Sequence, residues 1–549
     1  MSPPVANKNS FDSAATKVAP ATKAAPSVLQ FTAISEIPAG VAKLVDSFHN
    51  SKKTHSVQYR LNQLRNVYFA LKDNGDEIAE ALEKDFSRSA SETRNLELGT
   101  SLTEVVHTMS SLHKWVQPDK VPDLPQTMTC PVYVEKIPLG VVLIISPFNY
   151  PLLLSVGAII GALAAGNCVV FKPSELTPNF SKLFTEIMSA ALDDDIFYVV
   201  NGGIQETTAL LEQKFDKIMY TGNNMVGTII AKKAAETLTP VLLELGGKSP
   251  AFVLEDVKDK DLATVARRIA WGRFTNAGQT CVAVDYVLVH ETKKAALVKH
   301  LVAAVEETLF KDVDENDTNY THIIHDRAFE NLVKILKQSK GRVVTGGTHN
   351  AAAKYIAPTI LDNVNWDDST MRGEIFGPLL PIITYSNLDE ALANIRERCD
   401  TPLAQYVFTS GNTNRNKNKE LDTILTRIRS GATVINDVMM HVPLTSAPFG
   451  GIGNSGQGAY HGIYSFRAFS HERTTIEAAF WNEFAMKARY PPYNEDKDKL
   501  FVASQRRHNG KVWFGRTGDV PKNGPSSLFT IWTGIAGFSA VLFYVGAIL

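Results

Sequence analysis

The chain has 549 residues, 44% hydrophobic and 21% charged, with a formal net charge of -1. Such a chain has material for two or more domains with a sizeable core, and its near-neutral charge removes any global electrostatic case for nucleic acid. The four cysteines, Cys130, Cys168, Cys281 and Cys399, form no CxxC pair, and the thirteen histidines form no HExxH cluster. Reduced thiols and no metal site are therefore expected.

Residues 1–30 are rich in Ala, Pro, Ser and Lys and read as a disordered tail. The tail lacks the apolar core of a secretory signal and contains no Arg, which weakens a mitochondrial transit reading. Strand and helix patterns then alternate. Val141 to Ile145 is a short apolar run suited to a strand buried on both faces, Pro151 to Ala165 an apolar helix, and Cys168 to Lys172 a second strand. Helices are predicted over 177–192, 207–213 and 225–237, and strands over 197–200, 215–220 and 240–245. Residues 140–245 thus read as an open, doubly wound α/β sheet, whose ligand lies beyond the carboxyl ends of the strands. A second α/β domain follows, with helices over 261–274, 293–310 and 328–340 and strands at 286–289, 359–361 and 380–383. No repeat of solenoid period occurs.

The C-terminus differs from the rest. Residues 528–549 read LFTIWTGIAGFSAVLFYVGAIL, and no charge follows Lys522. As a helix rising ~1.5 Å per residue this stretch covers ~33 Å, about one hydrocarbon core. Arg506, Arg507, Lys511, Arg516 and Lys522 precede it. Basic residues before the span and none after it predict a single tail anchor, with the bulk of the protein on the cytosolic side.

The strand ends carry the candidate chemistry. Asn149, in SPFNYP, is a neutral donor able to stabilise a developing oxyanion, although alone it reads as a turn residue. Lys172 and Glu175 follow the second strand and could meet ribose hydroxyls, or form a solvated charged turn. Thr221, Gly222, Asn223, Asn224, Met225, Val226 and Gly227 lead from a strand into a helix N-terminus suited to phosphate. They form no GxGxxG, and the chain has no Walker A motif. Cys281 follows a Gly-Gln-Thr turn, and Glu244 opens ELGGKSP 37 residues upstream. A free cysteine by itself reads as a buried small hydrophobe; beside a carboxylate base the pair suggests covalent catalysis through a thioester. Glu374 and Phe376, in EIFGP, could hold a ribose and pack on a planar ring, or make a turn with a core aromatic. A glycine-dense loop spans 448–456 and names no chemistry by itself.

These motifs in this order resemble the aldehyde dehydrogenase superfamily from about Ala33 to Thr475. The segments GQTCVAVDYVL (278–288), YTGNNMVG (220–227), EIFGPLLP (374–381) and GNSGQGAYHGIYSFRAFSH (453–471) are similar to its class 3 group, which includes membrane-anchored fatty aldehyde dehydrogenases. The resemblance implies two Rossmann-like domains. The NAD-binding one would take 31–245, completed by about 435–480, and the catalytic one 246–434. A basic linker, 481–527, would lead to the anchor. It further implies Cys281 as nucleophile, Glu244 as general base and Asn149 in the oxyanion hole with the Cys281 backbone N–H. Lys172 and Glu175 would contact the adenosine ribose, residues 221–227 the pyrophosphate, and Glu374 the nicotinamide ribose, with Phe376 near the nicotinamide. NAD, with NADP possible, would be the cofactor, a fatty or other hydrophobic aldehyde the substrate, and a homodimer the assembly. The anchor would enter the endoplasmic reticulum or mitochondrial outer membrane first, with peroxisome or lipid droplet as further options. Class 3 members usually carry Pro where Val284 stands, a change expected to need only a local loop adjustment. An acylating, coenzyme A-dependent dehydrogenase and an inactive membrane-tethered scaffold are the rival readings; Glu244 opposes the first, and intact Cys281, Glu244 and Asn149 the second.

Overall fold

The computed structural model describes residues 28–121, 130–483, 487–505 and 514–520. Most of the expected N-terminal tail and the whole 528–549 stretch lie outside them. Among the described residues no helix is long and apolar enough to cross a membrane.

Two sheets organise the chain. The first has six strands in the order Gly456–Gln457, Val241–Glu244, Lys217–Thr221, Val141–Ile145, Cys168–Lys172, Phe197–Val199. All are parallel to their neighbours except the short Gly456–Gln457 edge. The chain begins at Val141–Ile145, steps outward to Phe197–Val199, then returns to the other side of its starting strand. The order reverses there, and a crevice opens beyond the carboxyl ends of Val141–Ile145 and Lys217–Thr221. Register keeps those ends level: Ile145 pairs with Lys172 and with Tyr220, and Thr221 with Glu244.

Val141–Ile145 and Cys168–Lys172 are buried at every position, as continuous apolar runs require. Helix Pro151–Ala165 is buried along all 15 residues, which explains why it is apolar on every face. It ends at Gly166, whose φ of 96° provides the left-handed cap. Helix Gly99–Trp115 packs across it, and helix Val57–Asp73 packs on both.

The second sheet has seven strands: Arg342–Thr345, Thr359–Asp362, Leu379–Tyr385, Tyr286–His290, Pro250–Val253, Ala404–Phe408, Ala432–Ile435. Only Arg342–Thr345 runs antiparallel to its neighbour. A three-stranded antiparallel sheet joins Asp119–Lys120, Val132–Pro138 and Ser470–Ile476.

Helix boundaries differ from expectation most at two places. The helix expected from residue 207 begins at Ile204, because Glu206 accepts the Gly203 N–H at 2.7 Å and caps an earlier turn. The helix expected over 293–310 is α-helical only from Glu291 to Ala303 and then widens over Ala304–Leu309.

Candidate active site

Helix Asp259–Phe274 delivers the chain to Cys281 through an unusual turn. Asn276, Ala277 and Gly278 have φ values of 55°, 49° and 73°. Asn and Gly visit the left-handed region readily; Ala does so only when its surroundings impose it. Gly278 is required sterically, since a Cβ there would stand 2.3 Å from the Gly377 carbonyl oxygen. Gln279 holds the turn: its Nε2 donates to the carbonyls of Asn276 (3.3 Å) and His322 (3.0 Å), and its Oε1 accepts the Ile324 N–H (3.0 Å). Thr280 shares a hydroxyl bond of 2.9 Å with Tyr150, and the Tyr406 hydroxyl donates to the Val282 carbonyl. Cys281 is partly exposed between these clamps.

Asn149 lies one residue before Tyr150 and is buried. Its carbonyl accepts from Asn276 Nδ2 (2.9 Å) and from Arg88 Nη1 (3.1 Å). Asn276 Nδ2 also reaches the Gln279 carbonyl at 3.0 Å, so one amide ties the Asn149 loop to the Cys281 loop. Arg88 is fully buried and paired with Glu97 at 2.5 Å. Glu97 in turn accepts the N–H groups of Leu152 (2.8 Å) and Leu153 (3.0 Å) at the start of the buried helix. A carboxylate there satisfies orphan donors and opposes the positive end of the helix dipole.

Glu244 ends its strand 3% exposed, and neither carboxyl oxygen has a hydrogen-bond partner. Burial alone pushes its pKa well above the ordinary carboxylate value. Its backbone carbonyl accepts the Gly222 N–H at 3.0 Å, joining it to the Thr221–Gly227 segment. Glu374 reaches back to the same place: a Cβ on Gly246 would meet its Oε2 at 2.0 Å, and it accepts from the Gly247 N–H. Burial raises the Glu374 pKa to about 8, with Asp285 adding repulsion. The Cys281 thiol is raised to about 12, chiefly by burial and then by the Glu374 and Glu244 carboxylates. Phe376 has a φ of 52° and sets its ring edge-on to Phe148, centroids 5.9 Å apart.

A buried charged hub fixes these loops together. Asp285 pairs with Lys248 at 2.5 Å and Arg273 at 2.9 Å, and accepts the Ile375 N–H at 3.1 Å. Lys248 also donates to the carbonyls of Thr370 (2.8 Å) and Gly373 (3.0 Å), and Arg273 to that of Gly377. Asp285 therefore positions the ELGGKSP, cysteine and EIFGP segments at once. Val284, beside it, donates its backbone N–H to the Gly272 carbonyl at 3.1 Å. A proline at this position could not make this bond.

The remaining predicted residues lie along the same sheet edge. Lys172 Nζ pairs with Glu175 at 2.6 Å at the end of its strand. Asn223 caps helix Asn224–Glu236 by accepting the Val226 N–H at 2.9 Å, and Asn224 donates to the Asn454 carbonyl at 2.5 Å. Asn223 and Met225 line a cleft of about 670 Å³ together with His325, Arg327, Glu330 and Lys334.

Comparison with known proteins settles the family. The aldehyde dehydrogenase family profile matches residues 8–475. The chain belongs to the aldehyde dehydrogenase family. It is 40% identical over 481 residues to fatty aldehyde dehydrogenase HFD1 of Saccharomyces cerevisiae, covering 86% of this chain and 88% of that protein. It is 42% identical over 471 residues to mouse (Mus musculus) aldehyde dehydrogenase family 3 member A2, covering 85% and 94%. The mouse dimeric NADP-preferring aldehyde dehydrogenase is 40% identical over 459 residues, covering 84% and 98%. Among solved structures, substrate-bound Staphylococcus aureus AldH is similar with a TM-score of 0.80 and 36% identity, covering 85% of this chain and 99% of that one. An NAD+ complex of a Mycobacterium tuberculosis aldehyde dehydrogenase has a TM-score of 0.72 and 25% identity, covering 82% and 92%. The chain is thus an aldehyde dehydrogenase, similar to an NADP-preferring enzyme and to one solved with NAD+.

Motif reading of this aldehyde dehydrogenase did not single out Arg88, Glu97, Asn276, Arg273 or Asp285. One signal was available. Asp285 interrupts an otherwise apolar run, and a charge in such a place needs buried partners.

Proposed function

We propose that the chain oxidises medium- and long-chain fatty aldehydes to carboxylic acids through a covalent adduct on Cys281. The observation that supports this reading is Glu244, a buried carboxyl with both oxygens unpartnered, together with the Asn276 amide that ties the Asn149 loop to the Cys281 loop. An unpaired buried carboxylate is costly to keep and is well suited to take a proton.

The residues along the sheet edge fit an anionic dinucleotide. The first turn of helix Asn224–Glu236 lines the cleft, and Arg327 and Lys334 line it too and outnumber the single acid, Glu330. Lys172 and Glu175 offer one donor and one acceptor for ribose hydroxyls, and Glu374 a second acceptor near Cys281. When bound, NAD(P) accepts the hydride of the aldehyde carbon. The chain's own groups do the rest. The Cys281 thiol loses its proton to water, and the thiolate sulfur attacks the carbonyl carbon to give an ionised thiohemiacetal. The Asn149 side-chain amide and the Cys281 N–H stabilise the oxyanion, a donor pair of which each member is worth about 100- to 1,000-fold in rate. After oxidation to the thioester, Glu244 takes a proton from water, the hydroxyl adds, and the Cys281 thiolate leaves. Desolvation makes Glu244 a stronger base than a solvated carboxylate, which suits it to activate water.

Residues 528–549 are proposed to anchor the enzyme in the endoplasmic reticulum or mitochondrial outer membrane, where long-chain aldehydes concentrate. A homodimer is proposed from the relatives described as dimeric, and the exposed apolar Ile229 and Leu238 are available to it.

The test uses detergent-solubilised protein, a long-chain aldehyde and NAD, with reduced cofactor followed by absorbance. Wild type turns over, and Cys281→Ala is silent. Glu244→Gln gives one burst and then stalls with acyl-enzyme accumulated. Full steady-state turnover in Glu244→Gln would remove the hydrolytic role, and an unchanged signal from Cys281→Ala would remove the covalent one.

A further inference from the structure

An oxyanion donor displaced by ~1 Å loses much of its effect, so the Asn149 amide has to be aimed. Among the described residues the Asn149 side chain makes no hydrogen bond, which leaves its aim to its backbone. That backbone is fastened twice at its carbonyl. One donor is Asn276 Nδ2, from the Cys281 loop, at 2.9 Å; the other is Arg88 Nη1, at 3.1 Å. Arg88 also lies against the next residue. Its guanidinium carbon stands 4.5 Å from the centre of the Tyr150 ring, whose hydroxyl bonds Thr280, beside Cys281, at 2.9 Å.

The segment that carries Arg88 is gripped from several sides. Asp85 accepts the N–H groups of Asn179 and Phe180, both at 2.9 Å, at the start of helix Pro178–Ala191. The Phe86 carbonyl accepts the His322 N–H at 2.9 Å, and the His322 carbonyl in turn holds Gln279. Glu92 accepts the Asn276 N–H at 3.3 Å and the Thr321 hydroxyl at 3.2 Å. Residues 85–97 thus brace the Asn149 loop against the Cys281 turn, and Arg88 is where the brace meets the Asn149 carbonyl. Stability alone gives no reason for a cation there. The guanidinium is fully buried, and its Nε and Nη2 have no hydrogen-bond partner; Glu92 stands 3.9 Å from Nε. A buried ion pair with donors left over is commonly no more stabilising than apolar side chains of like volume. The bond to Asn149 supplies the reason that stability does not.

We propose that Arg88 is a positioning residue for the oxyanion hole: by holding the Asn149 carbonyl and the Tyr150 ring, it aims the Asn149 amide at the aldehyde oxygen. This rests on the oxyanion role of Asn149. Arg88 acts through Asn149 and touches no reacting atom. No proton moves in this role, because a guanidinium stays charged. The hold serves both chemical steps, since the thiohemiacetal and the tetrahedral intermediate of hydrolysis each carry a negative oxygen.

Arg88→Met keeps most of the bulk and removes the donor. The full-length enzyme is mixed rapidly with saturating long-chain aldehyde and NAD, and the burst of reduced cofactor is timed. The burst rate constant of Arg88→Met should fall about 10²-fold, with the KM for NAD unchanged. Arg88→Lys, which keeps a donor and a charge, should recover part of the loss. The deciding measurement is the cycle with Asn149→Ala. With no amide left to aim, adding Arg88→Met to Asn149→Ala should cost less than about twofold more. A full burst rate in Arg88→Met, a change confined to KM, or an equal loss in the Asn149→Ala background would each overturn the role, the last because it marks a general loosening. If Arg88→Met is insoluble, the pair Arg88→Met, Glu97→Gln removes both charges, keeps an acceptor for the Leu152 and Leu153 N–H groups, and enters the same cycle. Asn149→Ala alone separates the cases. At full rate, the oxyanion reading has failed and the role of Arg88 with it; a slow Asn149→Ala beside an unaffected Arg88→Met rejects Arg88 alone.

Discussion

The Cys281 sulfur is held as a thiol. Burial raises its pKa first, and the Glu374 and Glu244 carboxylates add to the effect, to about 12. The sign matters for reactivity, because the thiolate is the nucleophile and a raised pKa keeps its fraction small near neutral pH. Alkylation of the cofactor-free enzyme by iodoacetamide should therefore quicken roughly tenfold per pH unit from about pH 7 to beyond pH 10. Glu374→Gln should move that curve to lower pH by removing one repelling charge. A plateau reached near pH 8 in wild type would contradict the assignment. The motif around Cys281 announces the nucleophile, but not this resting state, since desolvation depends on atoms far away in sequence. Phe376 makes the same point. Its positive φ and its contact with Phe148 come from packing between two loops that share no sequence signal.

Loops outweigh strands at the scale of elements. The strands supply level ends, and the loops beyond them are fastened by a few buried polar groups: Asn276 between Asn149 and Gln279, Asp285 among Lys248, Arg273 and Ile375. Val284 belongs to that fastening, since its N–H supports the end of helix Asp259–Phe274 through the Gly272 carbonyl. Val284→Pro deletes the donor and leaves a buried carbonyl short of a partner. A loss of about 1–3 kcal/mol is expected, read as a lower urea midpoint with an unchanged slope. An unaltered midpoint would show that the loop shifts without cost, as the motif alone suggests. Periodicity located most strands and helices of the first sheet, because runs buried on both faces leave an unmistakable apolar signature. It was weaker for boundaries, which are set by individual bonds such as Glu206 to the Gly203 N–H.

For the molecule as a whole, the catalytic portion and the apolar C-terminus invite separate tests. Residues 528–549 are uncharged and long enough to cross a bilayer, and basic residues precede them. Deleting them should release the protein from sedimented membranes into the soluble fraction. The kcat/KM for a short aldehyde should stay within about twofold, since surface changes far from a site rarely alter it. Continued sedimentation of the shortened protein would end the anchor reading. A drop in short-aldehyde activity would mean that the tail supports the catalytic fold itself.

The sequence by itself determined the family, the candidate chemical groups and the alternating α/β plan. Each of these is written in local residue order: a thiol after Gly-Gln-Thr, glycines at a helix start, apolar runs of strand length. Tertiary structure alone decided how those groups meet. Arg88 lies in no motif and Asp285 lies inside one that gives it no role, and their importance comes from the buried bonds that fasten the Asn149 and Cys281 loops. The physical reason is desolvation: a charge or hydroxyl that is cheap in water acquires a strong preference for particular partners once the fold removes the solvent around it.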